Sequence, residues 1–531
     1  MAELAPQSRS SNRGLLGSSM VVSAATMTSR VLGLVRDVVL AALIGATSNA
    51  DAFFVAFKIP NFLRRLFAEG AFAQAFVPVL SETREQGGAA AVKALVDRVA
   101  AVLGGSLLLL TALVMLAAPL VATVFAPGFY NNAGKLALTA DLIRITFPYL
   151  LLISLTGFAG GILNTYGRFA VPAFTPVLLN ISLIVAAAWV APTMVEPVYA
   201  LALGVLAAGM LQLLFQLPAL YGLDLLPRPR WQPTDPGVRR ILTLMVPALF
   251  GVSVSQINLL LDTVLASLLP SGSVSWLYYS DRLTELPLGV FAVAIATVIL
   301  PALSAQRAAG KDSQAFSATL NWALRNVLLI AVPATFALLL LAGPILTTLF
   351  QYGEFAASDV AKSQASLLAY SAGLSAFMLI KVLAPGYYAR QDMKTPVRIG
   401  IIAMVANMVL NPLFIYPLYT VCDLGHVGLA LATSASAWLN AGLLYRGLKQ
   451  KAVLQTDGLW RVFSIRLGVS VAVMSGVLWA LQPDSTWWAS ALLWDRVFGL
   501  GGLVAAGGVS YLLSLWLMGV RWSDLREPRT S

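Results

Sequence analysis

Side chains that could grip an anion sit where the sequence is otherwise apolar. SRVLGLVRD (29–37) holds Arg30, Arg36 and Asp37; DAFFVAFKIPNFLRRLFAEGAF (51–72) holds Asp51, Lys58, Arg64, Arg65 and Glu69; SWLYYSDRLTELP (275–287) holds Asp281, Arg282 and Glu285. An arginine at the centre of a membrane helix costs roughly 2.5–3.5 kcal/mol on insertion scales, so it is retained only in a water-filled cavity or beside an acid. Arg30 and Asp37 are seven apart and share a helix face. Arg65 and Glu69, four apart, and Arg282 and Glu285, three apart, are spaced to pair. A positive surplus remains after pairing. Guanidinium forks onto phosphate oxygens and stays charged at any working pH. Arg30, Arg36, Arg64 and Arg282 therefore read as the grip for an anionic substrate. Arg144, Arg325 and Arg466 read as helix-end side chains that reach back to the interface.

A second set is rich in oxygen. Asp262, Asn407 and Asn411 (four apart), and Thr433 offer carboxylate, amide and hydroxyl oxygens, which suit a hard cation. The same residue types serve equally as interhelical hydrogen bonds inside a membrane. Other chemistry is missing from the sequence. There is no G-x-x-x-x-G-K-[ST] and hence no ATP motor in the chain. The lone His426 has no G-x-S-x-G partner. With one cysteine, Cys422, neither an internal disulfide nor a Cys/His metal cluster can form. No acidic loop or large polar loop could house an enzyme acting on polyprenyl phosphate, so a transporter is expected and not an enzyme.

The elements that must position these residues follow from composition. Of 531 residues 58% are hydrophobic and 11% charged, against roughly 25% charged in a soluble domain. Lipid must cover much of the surface, and membrane lipids are the first expected partners. Fourteen apolar stretches are long enough to cross ~30 Å of hydrocarbon: 19–45, 50–80, 96–126, 137–165, 170–191, 198–222, 240–268, 274–303, 316–348, 360–388, 396–418, 426–446, 460–482 and 493–519. They are spans 1 to 14 below. With both termini in the cytoplasm, the even-numbered connectors carry nearly all of the loop Lys and Arg, and the opposite side holds only Lys135, Lys362 and Arg496. The net charge of +11 thus reads as basic cytoplasmic loops beside anionic lipid. Nucleic acid is not an expected partner, because basic runs interleaved with aromatics are missing. Residues 1–18 are polar, with Arg9 and Arg13; no cleaved signal peptide is expected, and the first apolar segment stays as a membrane helix.

The polar connector 223–240 divides the first twelve spans into sixes: spans 1–6 over 19–222 and spans 7–12 over 241–446. Spans 13 and 14 (447–519) follow, between tails at 1–18 and 520–531. A slide of 223 residues lays FVPVLS (76–81) over ILPALS (299–304), a weak internal repeat. Six spans per half make it a parallel repeat, as in transporters whose halves rock about a midplane site.

At this point several segments become recognisable. SRVLGLVRD, DAFFVAFKIPNFLRRLFAEGAFAQAFVPV (51–79), ILNTYGRFAVPAFTPVLLNIS (162–182), SGSVSWLYYSDRLTELPLGV (271–290) and KVLAPGYYARQDMKTPV (381–397) closely resemble the MurJ (MviN) family of lipid II flippases, in order over essentially the whole chain. The resemblance implies an all-α fold of the multidrug/oligosaccharidyl-lipid/polysaccharide exporter superfamily: two six-helix lobes around a central cavity plus two C-terminal helices that form a lipid-tail groove. It implies lipid II as substrate, carried from the cytoplasmic to the periplasmic leaflet of the bacterial inner membrane for peptidoglycan synthesis. It places important cavity positions at Arg30, Arg36, Arg64 and Arg282, with Asp51 as an acid, and further ones at Ser29, Arg65 and Glu285. Some members bind sodium in the second lobe, and Asp262, Asn407, Asn411 and Thr433 look similar, although Asn411 stands where a sodium-binding member would carry an acid. A monomer is expected, with cell-wall synthesis machinery as a further partner. The rival readings are an exporter of another lipid-linked oligosaccharide, a drug/cation antiporter (which would want a central acid and an apolar pocket), and a scaffold, which has no need of buried arginines.

Overall fold

The computed structural model describes residues 8–308, 313–455 and 458–521. Among the described residues every regular element is a helix. Lipid offers backbone groups no partner, so each span must satisfy its own amides and carbonyls, and a helix does this within one segment. All fourteen expected stretches fall on helix. Span 1 is Ser8–Ile44. Span 2 opens at Ser48–Leu63 and continues through Arg64–Phe72 into Ala73–Leu116, which also carries span 3. Span 4 is Ala133–Thr146 and Tyr149–Thr165, span 5 Ala170–Val185, span 6 Pro197–Tyr221 and span 7 Pro236–Ser267. Span 8 runs from Ser273–Pro287 through Leu288–Ala292 to Val293–Ala308. Spans 9 to 14 are Ser313–Phe350, Ala357–Tyr388, Lys394–Cys422, Gly425–Gln450, Leu459–Leu481 and Leu493–Leu517.

Local chemistry sets the helix ends. Thr47 caps span 2 by accepting from the Ala50 N–H at 3.2 Å, and Asp51 lies in that first turn, where a carboxylate meets the positive end of the helix dipole. Asp235 caps span 7, its Oδ1 accepting from Gly237 and Val238, with Pro236 at the first helical position. Between spans 2 and 3 the turn is made at Gly88, whose φ of 69° and ψ of −172° lie outside the helical region. A side chain would strain that backbone.

Ten helices are long and apolar enough to cross a membrane among the described residues, and they carry spans 3–6 and 9–14. The remaining expected spans are the charged ones. Span 1 concentrates Arg30, Arg36 and Asp37. Span 7 includes side chains outside the described ones. Spans 2 and 8 are each interrupted by a π-helical stretch, Arg64–Phe72 and Leu288–Ala292. The slide of 223 residues that relates the two halves lays the first stretch over the second. π-turns are rare and gather at functional sites, and interrupted helices at matching places in two repeats point to the binding region of a transporter.

The chain divides into two compact units, Met1–Ser271 and Gly272–Ser531. The division falls one helix beyond the connector, so span 7 belongs to the first unit. One core of that unit packs Phe76 5.1 Å from Phe72 and 5.0 Å from Phe158 between ring centroids, among Val96, Ile162 and Leu163. The second unit has one core of Leu320, Leu374, Met378 and Leu444. A further core in that unit docks spans 13 and 14 on span 9 through Leu341, Met474, Leu478 and Leu503, closed by the Tyr511 hydroxyl, which donates to the Leu329 carbonyl at 2.7 Å.

Candidate functional site

In the first unit, Arg36 and Asp37 are buried at 5% and 3% exposure on span 1. Arg36 Nε and Nη2 donate to Asp37 Oδ1 at 2.9 and 2.7 Å. Its Nη1 donates to Asn180 Oδ1 at 3.0 Å. Asn180, on span 5, turns its amide nitrogen to Ser29, donating to the carbonyl at 2.8 Å and to Oγ at 3.4 Å. Asn180 thus joins Ser29 to Arg36 and fixes span 1 against span 5. Sequence reasoning missed it; the signal was a lone amide inside the apolar VLLNIS. Spacing placed Asp37 on one helix face with Arg30, and its carboxylate accepts from its immediate neighbour Arg36. Arg30 is half-buried.

Arg64 stands where span 2 passes into its π-helical stretch and donates from Nε to Asn61 Oδ1 at 3.3 Å. Arg64 and Arg65 are both half-buried. The expected partner of Arg65, the Glu69 side chain, lies outside the described residues. Higher on the same span Lys58 donates to Thr263 Oγ1 of span 7 at 3.1 Å.

Asp51 pairs with a lysine. It accepts from Lys135 Nζ at 3.0 Å, with side-chain exposures of 2% and 5% for Asp51 and Lys135. Lys135 also donates to Ser271 at 3.2 Å and lies 4.0 Å above the Phe129 ring. The sequence reading counted Lys135 as a loop charge. Here it joins the starts of spans 2 and 4 to the turn after span 7.

In the second unit the pair expected from spacing is formed: Arg282 Nη1 donates to Glu285 Oε2 at 2.9 Å. The guanidinium carbon lies 5.2 Å from the Tyr278 ring centroid. About a third of the Arg282 side chain is exposed.

The oxygen-rich set divides. Asp262 is on span 7 in the first unit. In the second, Asn411 Nδ2 donates to Asn407 Oδ1 at 3.1 Å and Asn407 Nδ2 to Thr433 Oγ1 at 3.4 Å. This neutral set already bonds to itself between spans 11 and 12. Among the described residues no group of three or more His, Cys, Asp or Glu is placed to hold a metal.

The fold and these intramembrane arginines define a multi-pass membrane transporter. The family model described as lipid II flippase MurJ matches residues 40–498. The chain is 51% identical over 525 residues, covering 97% of this chain and 98% of the relative, to the probable lipid II flippase MurJ of Vibrio cholerae serotype O1. It is 42% identical over 514 residues to the lipid II flippase MurJ of Burkholderia cenocepacia, covering 96% and 98%. Among solved structures, a lipid II flippase MurJ in an inward closed conformation aligns with TM-score 0.77 at 26% identity, covering 94% of this chain and 98% of that one. An inward-facing multidrug resistance transporter of the MOP superfamily aligns at TM-score 0.66 and 16% identity, covering 82% and 98%, a likeness of fold. The chain belongs to the lipid II flippase MurJ family, and it is a multi-pass inner-membrane protein.

Proposed function

We propose that this chain carries lipid II from the cytoplasmic to the periplasmic leaflet by alternating access. The observation that carries the reading is the retention of half-buried arginines on the two spans interrupted by π-turns, Arg64 on span 2 and Arg282 on span 8, with Arg30 on span 1. Their forks match the pyrophosphate that such a lipid presents. Arg36, bonded to Asp37 and Asn180, acts by holding span 1 in place. Both termini face the cytoplasm in this proposal, and one copy of the chain suffices. Binding neutralises the arginine surplus and so favours closure of the cavity, coupling substrate to conformation by differential affinity. No ATP motor is in the sequence, so the driving force is the membrane potential or an ion gradient.

The test is complementation. A bacterial host is depleted of its own flippase, this chain is expressed, and outward-facing lipid II is counted with an impermeant probe. Restored growth and restored outward lipid II are expected, and Arg30→Ala or Arg282→Ala should abolish both while the protein still inserts. Good membrane expression without rescue would show that another anionic lipid is the cargo.

A further inference from the structure

An apolar crevice of about 200 Å³ lies within the first unit, between spans 3 and 7. On span 3 it is lined by Val99, Val102, Leu103, Ser106, Leu107 and Leu110, whose spacing of three and four marks one helix face. On span 7 Val238, Ile241, Leu242 and Met245 line it in the same way. From Val99 to Leu110 the helix rises about 16 Å, roughly half the ~30 Å hydrocarbon core. The crevice therefore reaches from one membrane face to the middle of the bilayer, the depth of one leaflet.

The rim at that face is cationic. The connector folds back on span 3: Asp97 Oδ1 accepts from the Arg228 N–H at 2.7 Å, the Asp97 carbonyl accepts from the Arg230 N–H at 3.1 Å, and Arg98 donates to Asp235 at 2.5 Å. Trp231 lies so close to Gly105 that a Cβ there would come within 2.5 Å of its ring. These bonds tether the backbone and leave the Arg230 and Arg239 side chains exposed. Arg239 follows Val238 of the crevice wall, and Arg230 precedes Trp231. Neither arginine has an ion-pair partner among the described residues. By contrast, Arg240 on the same turn bonds Glu82 at 2.8 Å.

We infer that this crevice binds an anionic phospholipid of the cytoplasmic leaflet, with one acyl chain between spans 3 and 7 and the phosphate on Arg230 and Arg239. An apolar crevice within the membrane takes hydrocarbon, and the two exposed arginines at its rim select a negative headgroup. Trp231, whose ring packs on Gly105 of span 3, lies about 9 Å along that helix from Val99. The leaflet assignment rests on the orientation proposed above; the binding itself does not.

The experiment is native mass spectrometry of the full-length chain in detergent, titrated with phosphatidylglycerol and with phosphatidylcholine of the same acyl chains. One saturable phosphatidylglycerol adduct is expected, with phosphatidylcholine weaker by about tenfold or more. Leu103→Trp, which fills the crevice, and the double change Arg230→Ala with Arg239→Ala should each weaken the adduct by a similar factor. Leu113→Trp, on the exposed face of span 3, should leave it unchanged. If Leu103→Trp does not fold, the arginine pair decides alone. Equal binding of the two lipids, or an adduct indifferent to the arginine pair, would overturn the assignment. So would displacement of the adduct by undecaprenyl phosphate at equimolar concentration, because the crevice would then hold the isoprenoid cargo. Binding is read without transport, so a failed complementation test leaves it standing.

Discussion

Asp51 and Lys135 meet at 3.0 Å with almost none of either side chain exposed, eighty-four positions apart in sequence. Removing one partner strips the other of this buried ion pair, a loss on the order of 3–5 kcal/mol. Asp51→Ala and Lys135→Ala should each lower the thermal unfolding midpoint of the purified protein strongly. The double change Asp51→Ala with Lys135→Ala should be milder than the sum of the two. Additive losses in that cycle would show that the pair is not coupled.

Asn180 links Ser29 to Arg36. Asn180→Ala removes an acceptor from a guanidinium, which costs about 1.5–3 kcal/mol. Reduced outward lipid II is expected at normal expression, because span 1 loses its hold on span 5. Asn180→Asp, which keeps the acceptor for Arg36, should retain more transport than Asn180→Ala. The reverse order would remove Asn180 from the positioning role.

Arg496 is 8% exposed at the start of span 14. It donates to the carbonyls of Thr347 at 3.3 Å and Ala489 at 2.9 Å, tying spans 13 and 14 to the end of span 9. Arg496→Met keeps volume and removes the donors. About 1–3 kcal/mol of stability should be lost, with faster proteolysis between spans 12 and 13. Unchanged protease resistance would argue that the apolar contacts around Leu478 and Leu503 suffice.

Asp392 lies in the turn between spans 10 and 11. Its Oδ2 accepts from Lys451 Nζ at 2.7 Å and from Thr395 Oγ1 at 2.8 Å. The Lys451 hydrogen bond, then those from Thr395, hold its pKa down at about 2, below the ordinary 3.8. A carboxylate with a depressed folded-state pKa adds stability above its unfolded value and loses it as pH falls through the folded one. The contribution should thus be complete above about pH 4 and vanish toward pH 2. Asp392→Asn should flatten the dependence of the unfolding midpoint across that window, and an unaltered slope would show that other carboxylates set it.

The sequence by itself determined the membrane class, the fourteen helical stretches and the family. These follow from hydrophobic runs and long ordered motifs, which are local. It also fixed the Arg282–Glu285 pair, because residues three apart on a helix meet whatever surrounds them. Tertiary structure decided the rest. Asp37 accepts from Arg36, and the arginine fork also reaches an amide on span 5. Lys135 left the loop set because its helix start packs against span 2 and buries the ammonium beside Asp51. The Asn411 amide donates to Asn407 and the Asn407 amide to Thr433, between spans 11 and 12. Each outcome joins residues distant in the chain, and helical spacing constrains only neighbours on one helix. Which helices touch is set by packing, and packing decides which buried charge meets which partner.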